Sequence, residues 1–232
     1  MSLRGPGIYA PAGGVPGIPP VPLSQPKNLF RYGEQSLWST YLFANSTTPA
    51  TGEFRLFSTA IGGTGQGFTN AISIGETNLQ EAGRIPNGVA YDVFGVAAHV
   101  GASDSTADSG DLVQALNTNQ LIQELLNFQM NCVLSWRFTQ SNIDIAPVQL
   151  IGAGGGAFGA ISTTQSTTDR GHFNNGASAV WLYRKHPIAL PGSTTFAILA
   201  RFGSRASAIG SGNSVFMRVM LLGYFKNVIE VA

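Results

Sequence analysis

Charge is scarce in this chain. Of 232 residues, 13 are Lys or Arg and 12 are Asp or Glu, 11% in all, against about 25% in an average soluble protein. Such a surface is poor at keeping a monomer in solution and suits faces buried against partners. The net charge of +1 argues against a domain built to neutralise many phosphates, so no strong nucleic-acid binding is expected. Cysteine occurs once, at Cys132, which excludes an intrachain disulfide and a thiolate metal cluster from one chain. Cys132 alternates in phase with Leu134, Trp136 and Phe138, the setting of an inert core thiol. No apolar run approaches the roughly 18 residues of a membrane-spanning helix. The start, Met1-Ser2-Leu3-Arg4-Gly5-Pro6, lacks the apolar centre of a signal peptide.

Catalytic signatures are missing as well. Gly152-Ala153-Gly154-Gly155-Gly156-Ala157 follows an apolar stretch, but a dinucleotide site needs a helix N-terminus next, and a Ser/Thr-rich loop follows instead. Gly62–Gly67 has no Gly-Lys-Ser/Thr ending and fails as a phosphate loop; it reads as flexible. His99, His172 and His186 lie far apart with no close metal-ligand spacing, and each is expected at a strand end or in a loop. No Gly-x-Ser-x-Gly elbow exists, although a triad assembled from distant residues stays open. Asp104, Asp108 and Asp111 could offer oxygens to Ca²⁺, but their spacing is not that of an EF-hand, and a solvated loop leading into a helix is the commoner use. No enzyme activity, no cofactor and no small-molecule substrate are therefore expected.

What the chain does have is period-2 alternation. Thr194–Phe202 and Val215–Leu222 each alternate over eight or nine residues, and even their outer positions are half apolar, so both faces should be covered. Between Val180 and Phe225 the pattern is strand, proline-bracketed turn, strand, Gly/Ser loop, strand. Upstream, strands are predicted at Phe54–Ile61, Ala71–Ile74, Val89–Val100, Asn131–Phe138, Ile143–Ile151 and Ala179–Arg184, with a turn at Asn87-Gly88. One or two short helices fit between about Asp111 and Phe128, interrupted at Asn117-Thr118-Asn119. Arg137, Arg184, Arg201 and Arg218 fall within strands, either lining one sheet surface for carbohydrate or phosphate or meeting another subunit. Residues 1–27 carry dense Pro and Gly with apolar residues between them, which favours polyproline II or irregular chain. They form either an arm lying along a neighbour or along their own domain, or a disordered tail. Residues 28–232 form the folded domain, all-β, whose strand spacing favours a sandwich or barrel over βαβ units.

Three blocks carry a resemblance. The first is Glu76-Thr77-Asn78-Leu79 running through Gly83-Arg84-Ile85-Pro86-Asn87-Gly88 into Val89–Val96. The second is Pro187-Ile188-Ala189-Leu190-Pro191-Gly192 with the Phe196–Phe202 strand, and the third is Val219-Met220-Leu221-Leu222-Gly223. With the alternating strands, long loops and apolar proline-rich arm, residues 54–225 resemble a viral jelly-roll major capsid protein, of the upright single jelly-roll type found in tailless icosahedral viruses and phages. The resemblance implies a single jelly-roll β-sandwich of about eight strands with long loops and no catalysis. It also implies a structural virion protein, assembled in the host cytoplasm, whose partners are copies of itself and other capsid proteins. The arm lacks a basic run, which points to protein or an internal viral membrane as its neighbour instead of the genome. Pro19, Pro20, Val21, Phe30 and Trp38 are the expected subunit contacts. The alternative is a virion spike or lectin-like module binding a receptor or carbohydrate.

Overall fold

The computed structural model describes residues 28–44, 51–102, 119–138, 141–151, 158–160, 171–173, 181–182, 186–204, 208–209 and 214–230. The arm 1–27, the Asp104/Asp108/Asp111 loop, Arg184 and the Gly152–Ala157 run lie outside them.

The alternation read in the sequence is the alternation of burial. In β5 (Cys132–Phe138), Cys132, Leu134 and Trp136 are fully buried; in β11 (Phe196–Phe202), Phe196, Ile198, Ala200 and Phe202 are buried. The two strands pair antiparallel, Trp136 opposite Ile198, so their apolar faces form one surface. β3 (Gly52–Leu56) pairs with the other edge of β11, and β6 (Ser141–Pro147) with the other edge of β5. This sheet packs on one built around β12 (Val215–Glu230). β1 (Asn28–Glu34) and β2 (Leu37–Phe43) lie end to end along one edge of β12, and β4 (Val89–Ala102) runs along the other. The far edge of β4 carries β9 (Trp181–Leu182) and β10 (Ile188–Leu190). A separate ribbon joins β7 (Phe158–Ala160) and β8 (Gly171–Phe173).

Taking end-to-end strands as one row, the sheets hold eight rows in the orders 1-8-3-6 and 2-7-4-5, all antiparallel. Row 1 pairs with row 8, 2 with 7, 3 with 6 and 4 with 5. That is one long hairpin wound over on itself, the jelly roll.

Val215, Met217, Val219 and Leu221 of β12 and their register partners Ala102, Val100, Ala98 and Val96 of β4 point together toward the second sheet. A bulge at Leu222/Gly223, opposite Val93 and Gly95, shifts the phase, so that Tyr91 and Val93 also point inward. The Tyr91 hydroxyl donates to the Leu221 carbonyl at 2.8 Å and lies against that of Gln35; burial holds its pKa above the ordinary tyrosine value. One end of the core is aromatic. The Phe43 ring is 5.0 Å from Phe54, 4.8 Å from Phe128 and 5.5 Å from Phe202, each near edge-to-face. Phe128 comes from α1 (Asn119–Met130), which packs on β4, β7 and the 3-10 turn Val148–Leu150.

Several local expectations change. The described helix begins at Asn119, and residues 111–118 lie outside the described set. β3 stops at Leu56 because Phe57 takes a left-handed φ of 62° and is fully buried. Ala71–Ile74 forms no strand; its one deeply buried residue, Ile72, is an anchor for a loop. The segment between Pro187 and Pro191 is not a turn but the strand β10, since the prolines sit outside the three residues that pair with β4. The Asn87-Gly88 turn is present, with Gly88 at φ 80° and Val89 N–H donating to Pro86 O at 3.3 Å. Cys132 is a core thiol whose pKa burial pushes up.

Among the described residues, Trp136 is the largest fully buried side chain. Trp136→Ala should cost about 3–5 kcal/mol, read as a lowered midpoint in chemical denaturation; a loss under about 1 kcal/mol would mean that the inter-sheet core is not packed as described.

Candidate functional site: the outer sheet faces

In the first sheet, even-numbered residues of β2 and β12 point away from the core, where they meet odd-numbered residues of β4 from Gly95 onward and, before the bulge, even-numbered ones such as Asp92 and Phe94. Half of this outer face is closed by the chain itself. The stretch 57–88 leaves β3, crosses the free edge of β2 and satisfies its unpaired backbone groups. Leu42 N–H donates to Gln66 O at 2.9 Å, and Trp38 N–H donates to Asn78 Oδ1 at 2.9 Å. The Trp38 carbonyl accepts from Thr77 Oγ1 and from Asn78 N–H, and the Ser36 carbonyl accepts from Asn78 Nδ2. Gln66 is the hub. Its Nε2 donates to Thr40 O at 2.6 Å and Ser39 Oγ at 2.8 Å, while its Oε1 accepts from the N–H groups of Ser58 and Thr59. A bare strand edge is a template for unwanted pairing; here it is capped, and Gly62–Gly67, expected to be a flexible loop, is part of the cap. Phe68 and Ile72 then fold over Leu42 and Phe216 as a second apolar cluster. The outward Phe216 is therefore only 3% exposed, and its cover comes from its own chain.

Beneath the cap lies a basic pair. Arg218 and His99 are register partners. Arg218 Nε donates to Thr40 Oγ1 at 3.1 Å and its Nη2 to Gly75 O at 2.6 Å. Burial lowers the Arg218 pKa, and the Glu76 carboxylate opposes that shift. His99 stands mid-strand, not at a strand end, 5.6 Å ring to ring from Phe216. Its pKa is lowered, first by burial and then by the Arg218 charge.

The other half of the face is open, apolar from Trp38 to Leu222 and flanked at Tyr224 by its exposed register partners Asp92 and Glu34. Met220 is in register with Trp38 and Ala97, and Leu222 with Gly95. The Phe94 and Tyr224 rings touch at 5.1 Å. Trp38, Phe94, Met220 and Leu222 are half-buried, Tyr224 is 45% exposed, and Ile74 beside Trp38 is 64% exposed. The Trp38 ring is held by its Nε1, which donates to Ile74 O at 3.1 Å.

The outer face of the second sheet is charged instead. Glu53 lies 3.7 Å from Arg137 and 3.3 Å from Arg201, and Arg201 reaches Asp144 at 3.1 Å. Asp144 also accepts from Ser135 Oγ at 2.6 Å. A cavity of about 550 Å³ opens beside this network, lined by Glu53, Asn131, Asp144 and Arg201 among others. A smaller one, about 330 Å³, lies where the core ends at Gln35, Tyr91 and Phe225. The strand arginines are thus split between two surfaces: Arg137 and Arg201 on the second sheet, Arg218 on the first.

Of the expected contact residues, Pro19, Pro20 and Val21 lie outside the described residues. Phe30 is in β1 on the edge of the first sheet, and Trp38 is on β2 against its own chain's loop. His172 is in β8, and His186 is exposed just before β10. No local pattern announces the edge cap, because the residues it joins to β2 and its flank are 24 to 42 positions apart. Comparison with family models, curated proteins and solved structures finds no match for this chain. No described helix is long and apolar enough to cross a membrane.

Two measurements follow from the cap. A Cβ at Gly67 would lie 1.8 Å from the Leu42 carbonyl, and Gly67 has φ 83°, so Gly67→Ala should destabilise by about 2 kcal/mol or more and speed amide exchange in β2. Because folding lowers the His99 pKa below its ordinary 6.5, the unfolded chain takes up the proton first as pH falls. Stability from neutral His99 is present above that value and is lost on acidification below it. His99→Gln should flatten the fall in Tm between pH 7 and 5; an unchanged slope would remove His99 from the account.

Proposed function

We propose that this chain is a structural virion protein, a single jelly roll that self-assembles into an icosahedral capsid shell. The eight-row order 1-8-3-6 over 2-7-4-5 carries this proposal, because it is the architecture that the capsid resemblance implies. A fold alone hosts many functions, and three features of the surface support this one. Charge is scarce, the edge of β2 is sealed by the chain's own loop, and an aromatic strip is left open on the outer face. Tyr, Trp, Phe and Met are the residues enriched where proteins meet. Partners are copies of the chain and other shell proteins, with an internal membrane as a further neighbour for the arm.

The cavity beside Glu53, Asp144 and Arg201 favours a second reading, a spike or lectin-like module. Carboxylates, an amide and a guanidinium around an open groove suit a polyhydroxylated ligand.

Electron microscopy of the purified chain separates the two. Regular closed shells, lost on deletion of residues 1–25 while the circular dichroism of the sandwich persists, are expected. Small discrete oligomers that bind a glycan array, with binding lost in Asp144→Asn, would replace the shell reading with the second.

A further inference from the structure

The open strip on the first sheet and the proline-rich segment 1–27 fit each other. The strip is made of Trp38, Phe94, Met220, Leu222 and Tyr224, with Ile74 at one rim and the exposed Asp92 and Glu34 on either side of Tyr224. Residues 5–24 contain no charged side chain and set apolar residues, among them Ile8, Tyr9, Ile18 and Val21, between prolines. Such a sequence favours the polyproline II helix, which is already extended before binding and docks on aromatic-lined surfaces with little further loss of entropy. Where the segment joins the fold decides whose strip it meets. Asn28 pairs with Glu230 and Glu34 with Tyr224, so β1 runs toward the strip and its first residue is at the remote end. There β1 and β12 extend beyond Val89, the first residue of β4, which pairs with Asn227. β1 therefore enters the sheet from the end remote from its own strip. At about 3.1 Å per residue, 27 residues reach roughly 80 Å, ample to cross to a neighbour.

We propose that the strip of Trp38, Phe94, Met220, Leu222 and Tyr224 is the docking track for the proline-rich N-terminal segment of a second copy of this chain. This rests on the self-assembly reading and specifies which surface receives the segment. Proline rings and the apolar side chains between them lie on the Trp38 and Tyr224 rings, removing both from water. The charged outer face of the second sheet, with Glu53, Arg137, Asp144 and Arg201, offers no such track.

The test mixes two full-length variants, Val21→Cys and Tyr224→Cys, under mild oxidation; the native Cys132 is buried in both. Disulfide-linked dimers are read on a non-reducing gel. A heterodimer is expected in the mixture, and its loss is expected when Arg55→Cys, exposed on the second sheet, replaces Tyr224→Cys. A chain carrying both Val21→Cys and Tyr224→Cys should give a ladder of linked chains. A monomer with an internal bond, or an equal yield with Arg55→Cys, overturns the proposal. Shells that form without any link at Tyr224 overturn it while leaving self-assembly standing. A chain that stays monomeric at every concentration overturns both.

Discussion

The pairing of β12 along both of its edges is the constraint from which the rest follows. Its sixteen residues hold the first strands of the domain on one side and β4 on the other, so the last long strand closes the sheet that the first ones open. Such non-local pairing has to be supported by burial, because closing a long loop costs entropy before any contact repays it. Val215, Met217, Val219 and Leu221, all fully buried, supply that burial along a single face. Once β12 is in place, row 1 has one free edge, and the second sheet must pack on the inward face.

That free edge explains the longest described loop. Residues 57–88 look like a connection, yet they complete the sheet: Gln66, Thr77 and Asn78 satisfy the outward backbone groups of β2 that no strand pairs. The cap also decides the chemistry of the outer face. Where it passes, Phe216 is covered and Arg218 is tied to Gly75 O; where it stops, Trp38, Met220 and Tyr224 are left for something else to cover. An intramolecular seal and an open strip of large side chains thus meet on one sheet. The opposite sheet carries an exposed ion-pair network, and exposed pairs of this kind contribute little to stability.

This division bears on the proposed self-assembly. In that proposal, a sandwich with one charged outer face and one half-sealed, largely apolar face would meet its copies in a restricted set of orientations. The seal over β2 removes the competing route of edge-to-edge strand pairing there, leaving side-chain surfaces to specify contacts.

The sequence by itself determined the all-β class, the inward faces of β5, β11 and β12, the Asn87-Gly88 turn and the buried state of Cys132, because each depends on alternation or on turn chemistry within a few residues. Jelly-roll order came only as the implication of a resemblance until the register of rows 1-8, 2-7, 3-6 and 4-5 placed it. Ala71–Ile74 resembled a strand because a loop anchored by buried apolar side chains has the same composition as one. His99 resembled a strand-end residue because nothing nearby in sequence announces Arg218, its register partner 119 positions on. The outer face of β12 read as covered along its whole length, and only the fold separates Phe216, sealed by Phe68 and Ile72, from Tyr224, left in the open. The difference lies in where a distant loop ends, which is settled by hydrogen bonds between residues far apart in the chain and not by any local pattern.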